Sequence, residues 1–193
     1  MSFYTASNVE LLYASTSPGT AKSSFTTEAQ INDTVGMGVQ AHLPADFWFP
    51  NRSQTGRGIG IVARGLMSST ASPTFTFTIR AGVTGNTTSA ILLSTAALNG
   101  ANNAAQIWEL RGEVIMTAMG AAGVNSTVQG VGLLLSPGLT TIVNPVFGNA
   151  ASPGTVTSVD TSVTNYINVN CACSVSNASN TVQLLQLLVY GLN

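Results

Sequence analysis

Few side chains in this sequence have types and spacing that could do chemistry. The single histidine, His42, ends an alternating run just before Pro44 and Asp46, and a His with one Asp supplies at most two ligands of a metal site. A solvated or hydrogen-bonded histidine at a strand end is the plainer reading. No serine sits in a nucleophile-elbow context, so a Ser-His-acid triad would have to be assembled around His42 alone. Glu109 and Glu113 lie on one face of an extended run with Arg111 between them. Paired carboxylates serve acid-base catalysis when their surroundings pull their pKa values apart; with a guanidinium between them, an ion-paired outer face or a polar ring near a symmetry axis is the simpler expectation. Gly56-Arg57-Gly58-Ile59-Gly60 has the glycines of a phosphate loop, but it leads into a strand and lacks the helix N-terminus that would hold a phosphate. Cys171 and Cys173 point to the same side of an extended chain, too far apart for an unstrained disulfide, and no second pair completes a zinc site. They are expected to be buried thiols packed as small hydrophobes. No catalytic residue, metal or cofactor follows from this set, and the chain is expected not to be an enzyme.

The most distinctive local feature is Leu43-Pro44-Ala45-Asp46-Phe47-Trp48-Phe49-Pro50. Three consecutive aromatics, Phe47, Trp48 and Phe49, cannot all face one core from an extended backbone. The loop either folds over an end of the domain or offers at least one ring to a neighbour. A sugar-stacking site is a third reading, weakened by the lack of nearby acidic partners.

The elements that must position these residues are strands. Phe75, Phe77 and Ile79 alternate with Thr74, Thr76 and Thr78, the period of a half-buried strand. Val35 to Leu43 alternates likewise, as do Trp108 to Met116 and Ile167 to Val175. The last run, Asn180 to Leu192, is apolar on both faces apart from Gln183 and Gln186, which predicts a strand that is central or at a subunit interface. Weaker runs cover Gly58 to Leu66, Ala90 to Thr95 and Thr127 to Leu135. Turn signals such as Ser72-Pro73, Gly85-Asn86, Asn99-Gly100 and Ser136-Pro137-Gly138 separate them. About eight antiparallel strands, with no convincing amphipathic helix after residue 30 and no internal repeat, suit an all-β, two-sheet antiparallel jelly-roll sandwich; a Greek-key sandwich of other connectivity stays open. Residues 1–30 read as an N-terminal arm on a domain of residues 31–193. The arm, with Val9, Leu11, Leu12 and Tyr13, is either a terminal strand covering a sheet edge or a segment that reaches a neighbouring subunit.

Bulk composition narrows the partners. Of 193 residues, 45% are hydrophobic and only 7% charged, against about 25% charged in an ordinary soluble domain. A polar, nearly uncharged surface loses little desolvation energy when it packs on another protein. Six Lys plus Arg against seven Asp plus Glu, dispersed along the chain, offer no basic stripe for phosphates, so neither nucleic acid nor an anionic membrane is an expected partner. No apolar stretch reaches the ~18 residues of a membrane span. Met1-Ser2-Phe3-Tyr4-Thr5 lacks the features of a signal peptide, and the expected place of synthesis is a cytoplasm.

One segment carries a family resemblance. Cys171-Ala172-Cys173-Ser174-Val175-Ser176-Asn177-Ala178-Ser179-Asn180-Thr181-Val182-Gln183-Leu184-Leu185-Gln186-Leu187-Leu188-Val189 resembles the closing hairpin of jelly-roll virion proteins of tailed bacteriophages, a group of capsid decoration, head-fibre and tail-associated proteins. The low charge, the Thr/Ala/Gly-rich strands and the arm-plus-sandwich layout are similar to the same group from about residue 34 onward. The resemblance implies a virion protein, assembled in the host cytoplasm, whose partners are the major capsid protein and copies of itself, with the homotrimer as its oligomer. It dictates no catalytic residue or cofactor, and the Phe47-Trp48-Phe49 cluster has no counterpart in it. The expected function is capsid decoration that reinforces the assembled shell. The alternative is a receptor-binding module at a fibre tip that recognises a host surface glycan. Val9, Leu11, Leu12, Tyr13, Phe47, Trp48 and Phe49 are the candidate interface residues.

Overall fold

Alternation of apolar and polar side chains becomes a strand almost wherever it occurs. The computed structural model describes residues 9–48, 57–71, 73–84, 87–148 and 157–192. In chain order these form β1 (Glu10–Ala14), β2 (Lys22–Ser23), β3 (Ala29–Gln30), the helical turn α1 (Thr34–Met37), β4 (His42–Leu43), β5 (Gly58–Ser68), β6 (Thr74–Gly82), β7 (Ala90–Ser94), β8 (Leu98–Asn99), β9 (Gln106–Ala118), β10 (Ser126–Leu135), β11 (Val143–Phe147), β12 (Thr157–Val159), β13 (Asn165–Cys173) and β14 (Thr181–Leu192). Every pairing is antiparallel.

The first sheet runs β1-β14-β5-β9-β10-β11, and the second is β7-β6-β13 with β3 and β4 beyond β13. The two meet at one edge through the single pair Phe147 and Ser94. Because β5 pairs with β14 while β6 pairs with β13, a two-stranded ribbon crosses from one sheet to the other, as in a jelly-roll sandwich. Between the layers, Phe75, Phe77, Ile79, Trp108, Leu110, Val114, Val169 and Cys171 are all buried. The Phe77 and Trp108 rings meet across the layers with centroids 5.0 Å apart. Glycine sets the layer spacing at one point, where a Cβ on Gly130 would come within 2.2 Å of the Leu92 carbonyl oxygen. The core is thus the inner faces expected from period two.

Three local expectations are corrected. Val35 to Leu43 is not one strand: Asp33 caps α1 by accepting from the Gly36 amide at 2.9 Å, and only His42–Leu43 pairs as β4. The cap satisfies an amide that an isolated strand here could not, and Val35 and Val39 are left exposed. The strand β11 was not foreseen, because Pro145 makes its run read as a loop. Pro145 occupies β11 where the strand lies near the seam between the sheets and has β10 as its main neighbour. Finally, β14 lies inside its sheet between β1 and β5, but it is covered on one side only. A bulge at Leu185 resets the alternation, so that Val182, Leu184, Leu187 and Val189 are buried while Leu188 and Tyr190 are half exposed.

The described part of the first 30 residues lies on the sandwich. β1 covers the edge of the first sheet, β2 pairs with the start of β14, and β3 pairs with β13.

Candidate docking face

The two outer faces differ, and each is built from its strands upward. On the second sheet, the segment between β2 and β4 runs along the edge of β13, and its side chains reach over the outward residues of β6 and β13. Glu28 receives two hydrogen bonds from the Arg80 guanidinium, at 2.7 and 2.8 Å, and further ones from Thr78 and Asn170 at 2.6 and 2.9 Å. Burial by itself raises the Glu28 carboxyl pKa, but the hydrogen bonds and the charge of Arg80 outweigh it and hold the group below the usual carboxylate range. Asn32 donates to the Ile167 carbonyl at 2.8 Å and accepts from the Val169 amide at 2.9 Å, as a strand backbone would. Asn168 and Asn170 are fully buried under this layer.

The outer face of the first sheet has no such cover among the described residues. Register aligns its outward side chains in rows across the strands. One row is Leu11, Tyr190, Gly60, Glu113, Val131 and Phe147. The next is Leu188, Val62, Arg111, Leu133 and Pro145, followed by Gln186, Arg64, Glu109, Leu135 and Val143. On the other side of the first row lie Leu192, Gly58, Ile115 and Gln129. Leu11, Ile107, Ile115, Val131, Leu133 and Val143 are exposed by 40 to 68%. Large exposed aliphatics gathered on one sheet face, rather than scattered, mark a docking surface. A groove of about 600 Å³ lies on this face, lined by Tyr190, Phe147, Arg111 and Glu113 among others. Gly60 makes room for the Tyr190 ring, from which a Cβ there would lie only 2.4 Å.

A charged stripe follows β9 through the middle of this apolar face. Glu109 binds Arg64 at 2.5 Å and also binds Arg111, and Arg64 reaches Gln186 at 2.8 Å. Burial raises the Glu109 carboxyl pKa, while the hydrogen bonds from Arg111 and Arg64 lower it further, leaving it below its ordinary value. Glu113 makes no ion pair among the described residues. Two carboxylates flank one guanidinium, as the sequence led one to expect, but among the described residues only Glu109 is ion-paired.

The other candidate residues are dispersed. Val9 is 62% exposed, and Leu12 and Tyr13 pack against the core, with the Tyr13 hydroxyl donating to the Val39 carbonyl at 2.7 Å. Phe47 and Trp48 are both buried, edge to face at 5.6 Å. The Arg57 guanidinium lies 4.2 Å from the Phe47 ring centroid and donates to the Phe47 carbonyl. Phe49 and Gly56 lie outside the described residues. The exposed His42 ring is 6.0 Å from Tyr166, and no three His, Cys, Asp or Glu side chains among the described residues group as metal ligands. Cys171 and Cys173 are buried free thiols, and burial raises both pKa values. The groove itself was missed, because its rows are made by five-strand register. The signal present in the sequence was the exposed-face set Ile107, Glu109, Arg111, Glu113 and Ile115.

No protein-family profile matches the chain, and no curated protein matches it in sequence. Solved structures with a similar fold include the metal-free lectin I-B4 of Griffonia simplicifolia, with 10% identity over 99% of this chain and 97% of that one and a TM-score of 0.38. The lectin I of Ulex europaeus in complex with the methyl glycoside of alpha-L-fucose has 11% identity over 96% and 99% of the two chains and a TM-score of 0.35. The CBM2 module of the evolved Dit of Lactobacillus casei BL23 phage J-1 has 11% identity over 97% of each chain and a TM-score of 0.34.

Proposed function

We propose that this chain is a non-enzymatic structural protein of a bacteriophage virion, a capsid decoration protein that binds the major capsid protein of the assembled shell and reinforces it. The observation that carries this reading is the outer face of the first sheet, where exposed aliphatics lie uncovered among the described residues on either side of one charged stripe, in a chain with only 7% charged residues. Such a face is suited to protein docking by apolar burial, and attachment by that means weakens little with added salt. A protein that binds only the assembled lattice stabilises it by mass action, since separating the shell must also break the added contacts.

The test is sedimentation with purified expanded capsids. The intact protein should saturate the shell, and Leu133→Asp, which places a charge in the middle of the apolar face, should reduce occupancy at least tenfold while the near- and far-ultraviolet circular dichroism stay unchanged. Failure of the intact protein to bind capsids, or its presence only at the tail tip of the particle, overturns the reading.

One observation favours a second reading, the receptor-binding module. The half-exposed Tyr190 ring sits in the same row as the Glu113 carboxylate, which has no ion-pair partner among the described residues, and a ring beside a hydrogen-bond acceptor is a feature of sugar sites. Glycan-array binding that is lost in Tyr190→Ala, without capsid binding, would support it.

A further inference from the structure

Given that the outer face of the first sheet docks with protein, we propose that the partner seated on it is a second copy of this chain, packed sheet to sheet about a two-fold axis that lies across the strands. This inference rests on the reading of that face as a docking surface but gives it to a second copy, so that contact with the capsid protein falls to the surfaces left outside the pair. Its basis is the order of charges on β9. Side chains two apart on a strand are about 6.8 Å apart along it, so Glu109, Arg111 and Glu113 form a stripe that alternates negative, positive, negative. A two-fold axis in the plane between two such faces, perpendicular to the strands, reverses the stripe of the partner. When the axis passes between the row of Glu113 and the row of Arg111, each row lies over the other in the second copy.

The consequences follow residue by residue. Glu113, which has no ion-pair partner among the described residues, faces Arg111 of the second copy, and the same contact recurs by symmetry. Arg111 has capacity for it, because a guanidinium carries five N–H donors and the contact to Glu109 engages it on one side only. Around this centre the apolar residues also match: Val131 lies over Leu133, Tyr190 over Leu188 and Phe147 over Pro145 of the other copy. Isologous contacts of this kind are what a two-fold axis produces. A three-fold arrangement with strand faces around the axis keeps equal rows at equal heights, so Glu113 meets Glu113 and Arg111 meets Arg111. Like charges juxtaposed in an interface oppose assembly. The charge order therefore selects the two-fold pair over the trimer that the family resemblance implies.

Four rows about 6.8 Å apart on up to six strands about 4.8 Å apart span a face of about 24 by 20 Å, roughly 490 Å² in projection; side-chain relief has to supply the rest of the about 800 Å² per partner that a stable interface buries. Two sheets packed face to face are also an established layering, aligned within about 30°. A dimer made this way presents two copies of every other surface, so it can bridge two subunits of a lattice with the gain of bivalency.

Analytical ultracentrifugation of the full chain, with charge-swapped variants, tests the proposal. The wild type should be a dimer at micromolar concentration. Arg111→Glu and Glu113→Arg, each alone, bring like charges together and should weaken the dimer at least 100-fold. An equimolar mixture of the two variants restores both ion pairs across the axis and should form a one-to-one heterodimer. A wild-type monomer at 100 µM, a trimer, or single variants that dimerise like the wild type would overturn the inference. If the wild type is monomeric but Leu133→Asp still abolishes capsid binding, the docking reading stands and the self-pairing fails. If the charge-swapped pair assembles and no variant affects capsid binding, the self-pairing stands and the capsid reading fails.

Discussion

The outer faces of the two sheets start from the same strand chemistry and end in opposite states. On the second sheet, Thr78, Arg80, Asn168 and Asn170 point away from the core, yet both asparagines are fully buried, because Glu28, Gln30 and Gln40, from the chain that runs along the edge of β13, reach over them: Asn168 Oδ1 accepts from Gln30 and Gln40 and Asn170 Nδ2 donates to Glu28, while Asn170 Oδ1 has no partner among the described residues. On the first sheet, Val131, Leu133 and Val143 point away from the core and are about half exposed. The polar face is closed by its own chain, whereas the apolar face is open among the described residues. This reversal of the usual pattern is what the docking proposal is built on, since a free surface has little reason to keep aliphatics there.

The comparison is broken most strongly at Glu28. Glu28→Ala removes a half-buried carboxylate that accepts from Arg80, Thr78 and Asn170, and should destabilise the fold by about 2 kcal/mol, the range for losing hydrogen bonds to a charged group. Chemical denaturation followed by tryptophan fluorescence measures it. Glu109→Ala should cost at most about 1 kcal/mol, because its carboxylate is as covered as that of Glu28 but its partners Arg64 and Arg111 are far more exposed than Arg80. Equal losses at the two sites would show that the closed and open faces do not differ in the way described.

Acid sharpens the same contrast. The folded-state pKa of Glu28 lies below its ordinary value, so its contribution is complete above the unfolded carboxylate pKa of about 4.3 and is lost as pH falls through the folded value. Glu28→Gln should therefore flatten the decline of stability below about pH 4.3, measured as denaturation midpoints against pH. An unchanged profile would remove Glu28 as its source. The smallest effect is expected for Leu133→Asp, whose stability should stay within about 0.5 kcal/mol of wild type, the range for surface substitutions. A larger loss would mean that Leu133 serves the fold of the single chain.

Much of the fold was legible in residue order, for a local reason. Period two in Phe75 to Ile79, Trp108 to Met116 and Ile167 to Cys173 depends only on side chains alternating across a strand, and it gave the antiparallel sandwich and its inner faces. The same rule placed Glu109, Arg111 and Glu113 together on an outward face and assigned the cysteines to the core. Where a local competitor acted, the pattern misled: the Asp33 cap turned the alternation of Val35 to Val39 into α1, and Pro145 disguised β11.

What residue order could not supply was which outward face would be covered. That Glu28 meets Arg80 across 52 positions, or that Tyr190, Gly60, Glu113, Val131 and Phe147 share one row, depends on register between strands far apart in the chain. The sequence by itself determined the strands, the alternation of their faces and the scarcity of charge, because these are set by neighbours along the backbone. Only the tertiary structure decided that the polar face of the second sheet is closed and the apolar face of the first is open, because covering a face requires a distant segment to reach it and satisfy its hydrogen bonds.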